Sequence, residues 1–300
     1  ACLALLGFLC WLRRRRQIRK EASAIRYRQD AEAQQSAVEL LDALLDSPPS
    51  EISKYAQQVV QILKDFPDKA AVQHRGWLAV EAVCRADRAQ AAKIQALGAV
   101  PVLLASLEEH RRVRQVQKAG LAALSCLSKA ARQQIFDQGG IPNVVAAMAK
   151  FRRDGDVQLG GAMALGGLCV ASDACAISAA KYGGINVMTS ALERHAKRPD
   201  VLIAVSETLA LIASTRKEDI LQRMMPALPP LRALLAQHAD AGTRESEVVL
   251  RSLRKLEDQL LGSAKEKPTL TDDDDWSEVG TPRQNAQKSV VKAAQDEAKQ

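Results

Sequence analysis

Aromatic residues are scarce in this chain. Phe, Trp and Tyr make up 3% of its 300 residues, whereas hydrophobic residues make up 47% and are dominated by Ala and Leu. This composition favours stacked helices with cores of small and aliphatic side chains. No stretch alternates between apolar and polar residues for long enough to predict a sheet. The sequence therefore predicts an all-α fold.

Catalytic motifs are also missing. The chain has no H-E-x-x-H, no G-x-S-x-G, no C-x-x-C and no protein-kinase signature set. Its carboxylates are scattered over positions that a solvated helix surface explains. We therefore predict no catalytic residue, no enzyme activity and no cofactor.

A repeat of 41 to 44 residues dominates the chain instead. Its first half reads ALGAVPVLLASLEEH over residues 96–110, GGIPNVVAAMAKF over 139–151 and KYGGINVMTSALERH over 181–195. Glycines ahead of a helix could cradle a phosphate. A ligand loop is normally unique, however, whereas a structural turn recurs with its architecture. We therefore predict a turn at which a Cβ would be unfavourable, followed by Pro101 or Pro142 at the first helical position.

The second half of the repeat recurs as well. A Val-Gln pair precedes an apolar run at residues 72, 116 and 157, and the fourth copy has Val201-Leu202. The first half of the repeat follows the motif G-[GA]-[IV]-P-x-[VL]-[VL]. Together, the two halves resemble the armadillo-repeat family over about residues 51–261, and HEAT repeats are the near alternative. The resemblance implies a right-handed α-solenoid of about five repeats, each with two helices around a turn glycine and a third helix that lines a concave groove.

The resemblance also implies which residues line that groove. Armadillo proteins that bind basic import signals carry Trp and Asn in a W-x-L-S-N pattern, and neither residue occurs at the corresponding positions here, so that role is not implied. We expect a groove for a protein or peptide partner, apolar through Leu78, Met163 and Leu211. The predicted groove residues are Leu78, Ala82, Ala122, Cys126, Met163, Gly167, Glu207 and Leu211.

A glycine-rich stretch, GGAMALGG at residues 160–167, lies within one third helix. It lacks the lysine and hydroxyl of a phosphate-binding P-loop. Because glycine inside a helix costs about 1 kcal/mol relative to alanine, we predict that these glycines allow neighbouring third helices to approach closely.

Histidine and cysteine do not predict a metal site. His110, His195 and His238 share the repeat position that Phe66 and Phe151 fill, which indicates packing at a helix end. Equivalent positions in neighbouring repeats lie about 10 Å apart, too far to share one zinc ion. The six cysteines follow no disulfide or metal-binding spacing, so we expect free thiols in a reducing, intracellular setting.

Basic residues recur at the corner between the second and third helices. Stacking of the repeats would line these residues up along one edge of the solenoid. The cations either stabilise helix C-termini in solvent, or they form an edge that binds an acidic peptide, an anionic membrane or the acidic segment of the chain itself. The predicted basic edge consists of Arg111, Arg112, Arg114, Arg152, Arg153, Lys197 and Arg198.

Residues 1–20 combine a 12-residue apolar run with a run of arginines, Arg13, Arg14, Arg15 and Arg16. Residues 1–28 carry a net charge of +7, as does the whole chain, so residues 29–300 sum to zero, which argues against a nucleic-acid partner. We predict the end of a membrane anchor next to an anionic surface, with the repeats in the cytosol. The alternative is a soluble leader helix. Residues 21–50 would follow as a helical linker or N-terminal cap.

Residues 262–300 lose the repeat pattern, and their polar composition predicts a disordered tail. The tail contains an acidic motif that resembles the tryptophan-acidic peptides bound by kinesin light chains, with a solubilising tail as the alternative. This motif comprises Asp272, Asp273, Asp274, Asp275 and Trp276. The whole chain thus predicts a cytoplasmic, non-catalytic protein-binding scaffold held at a membrane. A soluble cytosolic or nuclear adaptor is the alternative, followed by a nucleic-acid-binding solenoid.

Overall fold

The structure is a computed structural model that describes residues 30–170, 172–239 and 244–265. The predicted anchor and the tail motif lie outside these ranges. The repeats fall within one compact unit, Ala1–Ser263, and Ala264–Gln300 forms a second unit that lies almost wholly outside the described residues.

All regular elements in the described ranges are helical, as the sequence predicts. Short 3-10 turns, Ser53–Tyr55 and Met225–Ala227, interrupt the first and the last repeat. The α-helices are α1 (residues 30–45), α2 (Pro49–Ile52), α3 (Ala56–Asp65), α4 (Ala70–Ala86), α5 (Gln90–Ala96), α6 (Ala99–Glu109), α7 (Arg114–Leu127), α8 (Arg132–Asp137), α9 (Gly140–Lys150), α10 (Gly155–Cys169), α11 (Asp173–Lys181), α12 (Gly184–Arg194), α13 (Pro199–Ala213), α14 (Glu218–Met224), α15 (Leu228–Ala239) and α16 (Arg244–Lys265).

In the described ranges, helices α2 to α16 group into five repeats of three, and α1 precedes them. Each repeat has a short first helix, a second helix and a long third helix, so that α4, α7, α10, α13 and α16 are the third helices. The third helices pack side by side, α4 on α7, α7 on α10 and α10 on α13. One continuous core runs from Ala37 to Leu260, because each repeat buries its apolar faces on its neighbours.

The recurrent glycines form the turns between first and second helices. Gly98, Gly139 and Gly183 have φ angles of 79°, 74° and 86°, and each immediately precedes a second helix. These left-handed conformations disfavour residues with a Cβ, which confirms the turn interpretation. The prediction for Pro101 and Pro142 is wrong by two residues. Each is the third residue of its helix, where the backbone still needs no N–H donor.

The recurrent glutamines cap the second helices. Gln73, Gln117 and Gln158 are buried, and each Nε2 donates to the carbonyls ten and seven residues earlier, at 2.8–3.2 Å. These carbonyls lie at the C-termini of α3, α6 and α9, where no intrahelical donor remains. The Val-Gln pair therefore joins the third helix of a repeat to the end of its second helix.

The recurrent histidines join neighbouring repeats. His110 Nε2 lies 2.7 Å from the carbonyl oxygen of Pro67, and His195 Nε2 lies 3.0 Å from that of Arg152, each 43 residues earlier. Both histidines are buried, whereas the buried His238 Nε2 has no hydrogen-bond partner among the described residues. The repeat position that His110 and His195 share therefore serves both packing at a helix end and a hydrogen bond between repeats.

Candidate partner-binding groove

The third helices α4, α7, α10 and α13 line a groove with a volume of about 1060 Å³. Seven of the eight predicted groove residues lie along it. Ala82 is half-buried on α4 and is not part of the lining. The structure brings together Leu78, Ala122, Cys126, Met163, Gly167, Glu207 and Leu211.

The floor of the groove is formed by α10, whose glycines contact both neighbouring third helices. A Cβ on Gly160 would lie 3.3 Å from the backbone nitrogen of Ala122 on α7. A Cβ on Gly166 would lie 2.8 Å from Thr208 Oγ1 on α13, and one on Gly167 would lie 1.9 Å from Ser128 Oγ at the end of α7. The glycines therefore allow close helix packing, as the sequence predicts.

Apolar side chains of α4, α10 and α13 line the groove. Met163 is 51% exposed at the middle of the groove, and Leu78 and Leu211 are half-buried toward its two ends. Sequence reasoning missed Leu159 and Ile203, which also line the groove. Each lies four residues before a predicted groove residue and thus on the same face of its helix.

Charged residues stand at opposite ends of the groove. Arg88 and Lys129 are exposed near α4 and α7, and neither forms an ion pair with a described residue. Glu207 is exposed on α13 and is likewise unpaired within the described ranges. Glu81 and Arg85 pair with each other on α4. The groove therefore presents uncompensated positive charge at one end and negative charge at the other.

A row of ion pairs crosses the N-terminal ends of the third helices. Lys118 Nζ lies 2.7 Å from Asp156 Oδ2, and Arg198 Nη2 lies 3.0 Å from Asp156 Oδ1. Arg198 also binds Asp200 through two nitrogens at 2.7 and 2.9 Å. Hydrogen bonds from Lys118 and then Arg198 lower the pKa of Asp156, and those with Asp200 and then Asp156 raise the pKa of Arg198. This row links α7, α10 and α13.

The predicted basic edge divides into paired and unpaired residues. Arg111 pairs with Glu108 at 3.3 Å and Arg114 with Asp154 at 3.3 Å, in addition to the pairs of Arg198. The remaining four residues form no ion pair in the described part of the chain. They are Arg112, Arg152, Arg153 and Lys197, and all four are exposed.

Burial disfavours the thiolate form of the cysteines near the groove. Burial raises the pKa of the Cys84 thiol to about 12, and burial also raises the pKa of Cys126. Burial raises the pKa of Cys169 at the end of α10 to about 12. Within the residues that the structure describes, no group of three or more His, Cys, Asp or Glu side chains is arranged to hold a metal ion.

None of the described helices is by itself long and apolar enough to cross a bilayer. One pair bent by 78°, Gln90–Ala96 with Ala99–Glu109, has the length and the apolar composition only when its two helices are taken together.

Comparison with known proteins identifies the fold. No family model matches the sequence, and no curated protein matches it. Among solved structures, a designed armadillo repeat protein superposes with a TM-score of 0.59 at 16% identity, over 75% of this chain and 92% of the other. The crystal structure of an engineered protein superposes with a TM-score of 0.58 at 22% identity, over 76% of this chain and 92% of the other.

These similarities define the class of the protein. The chain has an armadillo-like helical repeat fold, an all-α solenoid.

Proposed function

We propose that this protein is a non-catalytic scaffold whose third-helix groove binds a segment of a protein partner. The observation that carries the proposal is the apolar strip along the groove, with the Met163 side chain 51% exposed at its centre. A flexible thioether adapts to partners of different shape. Exposed apolar surface with a polar rim is typical of protein-binding sites.

The charges of the groove indicate how such a segment would lie. A helix in this groove would place apolar residues at a spacing of three to four against Leu159, Met163 and Ile203. Its acidic end would face Arg88 and Lys129, and its basic end would face Glu207. The partner is thus expected to be an amphipathic segment with opposite charges at its two ends.

We further propose that the protein is held at the cytosolic face of a membrane by its N-terminal segment. This proposal rests on the sequence alone, since residues 1–28 carry the whole net charge of +7. Proximity labelling with the full chain, compared with a chain lacking residues 1–28, tests it. Loss of membrane-protein neighbours on deletion supports the anchor, and unchanged neighbours favour the soluble adaptor.

The groove is tested by Met163→Glu, which places a charge at the centre of the apolar strip. Met225→Glu is the matched control, because Met225 is 41% exposed and is not part of the groove lining. We expect Met163→Glu to remove a defined set of labelled neighbours that Met225→Glu retains. The purified partner should then bind Met163→Glu at least about tenfold more weakly, equivalent to about 1.4 kcal/mol. Equal binding by both variants would rule out the groove.

A further inference from the structure

A second concavity lies at the corner between α9 and α10, away from the groove. We name it the corner pocket. Its volume is about 440 Å³, within the range of small ligand sites. It is lined by Arg114, Lys150, Phe151, Arg152, Arg153, Asp154 and Arg194.

The corner pocket holds an excess of positive charge. Its one carboxylate is already occupied, because Asp154 Oδ1 accepts from the backbone nitrogens of Asp156 and Val157, and Asp154 Oδ2 lies 3.3 Å from Arg114 Nη1. The other four basic residues are exposed, and within the described ranges none has a carboxylate partner. They are Lys150, Arg152, Arg153 and Arg194.

Stabilisation of helix ends explains only part of this excess. Arg152 Nε donates to the carbonyl oxygen of Ala149 at 2.9 Å and so assists the C-terminus of α9. Gln158 already donates to two further carbonyls at that end. Lys150 and Arg194 lie in the last turns of α9 and α12 and so assist those helix ends as well, whereas Arg153 lies beyond α9.

Hydrogen bonds also hold residues of the corner pocket in position. His195 Nε2 lies 3.0 Å from the carbonyl oxygen of Arg152, which ties the end of α12 to the corner after α9. Arg194 Nε donates to Ser190 Oγ at 3.1 Å, which orients its guanidinium group. Cations positioned in this way lose less entropy when they bind an anion.

We propose that the corner pocket binds an acidic peptide segment of a protein partner. Carboxylates of the segment would pair with Arg153, Arg194 and Lys150, and an apolar side chain would pack on the half-buried ring of Phe151. This site is separate from the groove of the proposed function and does not depend on it.

Two features favour a peptide over an extended polyanion. The recess with an aromatic residue in its lining accepts a side chain, whereas the head groups of a bilayer form a plane that contacts only outward residues. The row of ion pairs also compensates Lys118 and Arg198 with Asp156 and Asp200, so these two cations add no attraction for a polyanion that spans several repeats.

The test uses the full chain and a fluorescein-labelled peptide of four aspartates followed by a tryptophan. The same peptide with asparagine in place of aspartate is the ligand control. We expect anisotropy to report binding of the aspartate peptide alone, weakened by a rise in salt. Arg153→Glu combined with Arg194→Glu should weaken binding by about tenfold or more, since each substitution removes one attraction and adds one repulsion.

Matched variants separate the corner pocket from general electrostatics. Arg223 lies in the last turn of α14 as Arg194 does in α12, so Arg223→Glu is expected to bind the peptide as the wild type does. Arg112→Glu, on the preceding corner, should also bind normally, and circular dichroism verifies that each variant is folded.

Retained binding by the double variant would overturn the proposal. A second outcome would also overturn it. If Arg112→Glu loses as much peptide binding as the double variant does, and the protein binds vesicles containing phosphatidylserine more tightly than it binds the peptide, the basic edge is assigned to a membrane. Met163→Glu should leave peptide binding intact, so the two proposals fail independently.

Discussion

Replacement of Gly167 by alanine tests how closely the third helices pack. In an open helix interior this change should stabilise the fold by about 1 kcal/mol through helix propensity. Here the new Cβ would lie 1.9 Å from Ser128 Oγ and 2.9 Å from Ser128 Cβ. Rotation of the hydroxyl relieves only the first contact and breaks its hydrogen bond to the carbonyl oxygen of Ser125, 2.8 Å long. Ser128 is fully buried and has no open side to move into.

Overpacking in a core costs about 1–3 kcal/mol, and the lost hydrogen bond adds about 1 kcal/mol. After subtraction of the propensity gain, we expect Gly167→Ala to lower the free energy of unfolding by about 1–3 kcal/mol. Urea unfolding followed by far-ultraviolet circular dichroism measures the change.

Two variants serve as controls for this reasoning. A Cβ on Gly262 in α16 would meet nothing within 4 Å, so Gly262→Ala should leave stability unchanged or raise it by up to about 1 kcal/mol. Ser128→Ala removes the hydroxyl, and in that background Gly167→Ala should cost clearly less than it does alone. A Gly167→Ala variant as stable as the wild type would refute the close approach of α10 to α7.

Three further predictions concern buried polar groups and titration. Gln158→Leu removes this donor from the Met148 carbonyl at the end of α9, while the Phe151 carbonyl keeps the backbone N–H of Asp154. The change should cost about 1–3 kcal/mol in urea unfolding, and a neutral result would show that the cap is dispensable. The pKa of Asp156 is lowered from its ordinary value of 3.8, so its stabilising effect is present above that pH and is lost as pH falls through the lowered value. The urea midpoints of wild type and Asp156→Asn should therefore differ slightly at pH 7 and converge below pH 3.8, whereas a constant difference would contradict the titration. Burial raises the pKa of the Cys84 and Cys169 thiols to about 12 from an ordinary 9.0. Iodoacetamide at pH 7.4 should therefore alkylate both thiols at least about tenfold more slowly than a free thiol. Site-resolved mass spectrometry measures the rates, and rates that do not rise in urea would exclude burial as the cause.

The repeat plan could be predicted from sequence because each structural requirement recurs at the same interval. The turn glycines were predictable from one residue type, since few other residues adopt a positive φ. The role of Gln158 was not predicted, although a polar residue that recurs among buried neighbours is itself a signal of a hydrogen-bonding task. Leu159 and Ile203 were missed because the groove was predicted from two positions of each third helix rather than from a whole helix face.

The ion pairs along the corner edge could not be predicted in the same way. Asp156 and Arg198 lie 42 residues apart, and their contact depends on the rotation between two neighbouring repeats. Sequence alone aligns the basic corners but does not show which cations meet a carboxylate. In the structure, four residues of the predicted basic edge have no ion pair with a described residue: Arg112, Arg152, Arg153 and Lys197. Lys150 and Arg194, which the sequence did not indicate, join Arg152 and Arg153 at the corner pocket.

The third repeat is where the chain departs most from its own pattern, and both proposed sites include residues of this repeat. The four glycines in the interior of α10, Gly160, Gly161, Gly166 and Gly167, forgo about 1 kcal/mol each of helix propensity relative to alanine. Three of them bring α10 against α7 and α13, and Gly161 makes room for Met148 of α9. With the neighbouring helices drawn this close, Met163 is the large side chain left projecting from the floor of the groove. The same helix begins at the corner pocket, where Asp154 caps its first turn and binds Arg114. A binding event at either site would therefore act on the same helix. Departures from local sequence preference are expected at functional positions, and α10 combines the largest such departure with the most exposed apolar residue of the groove.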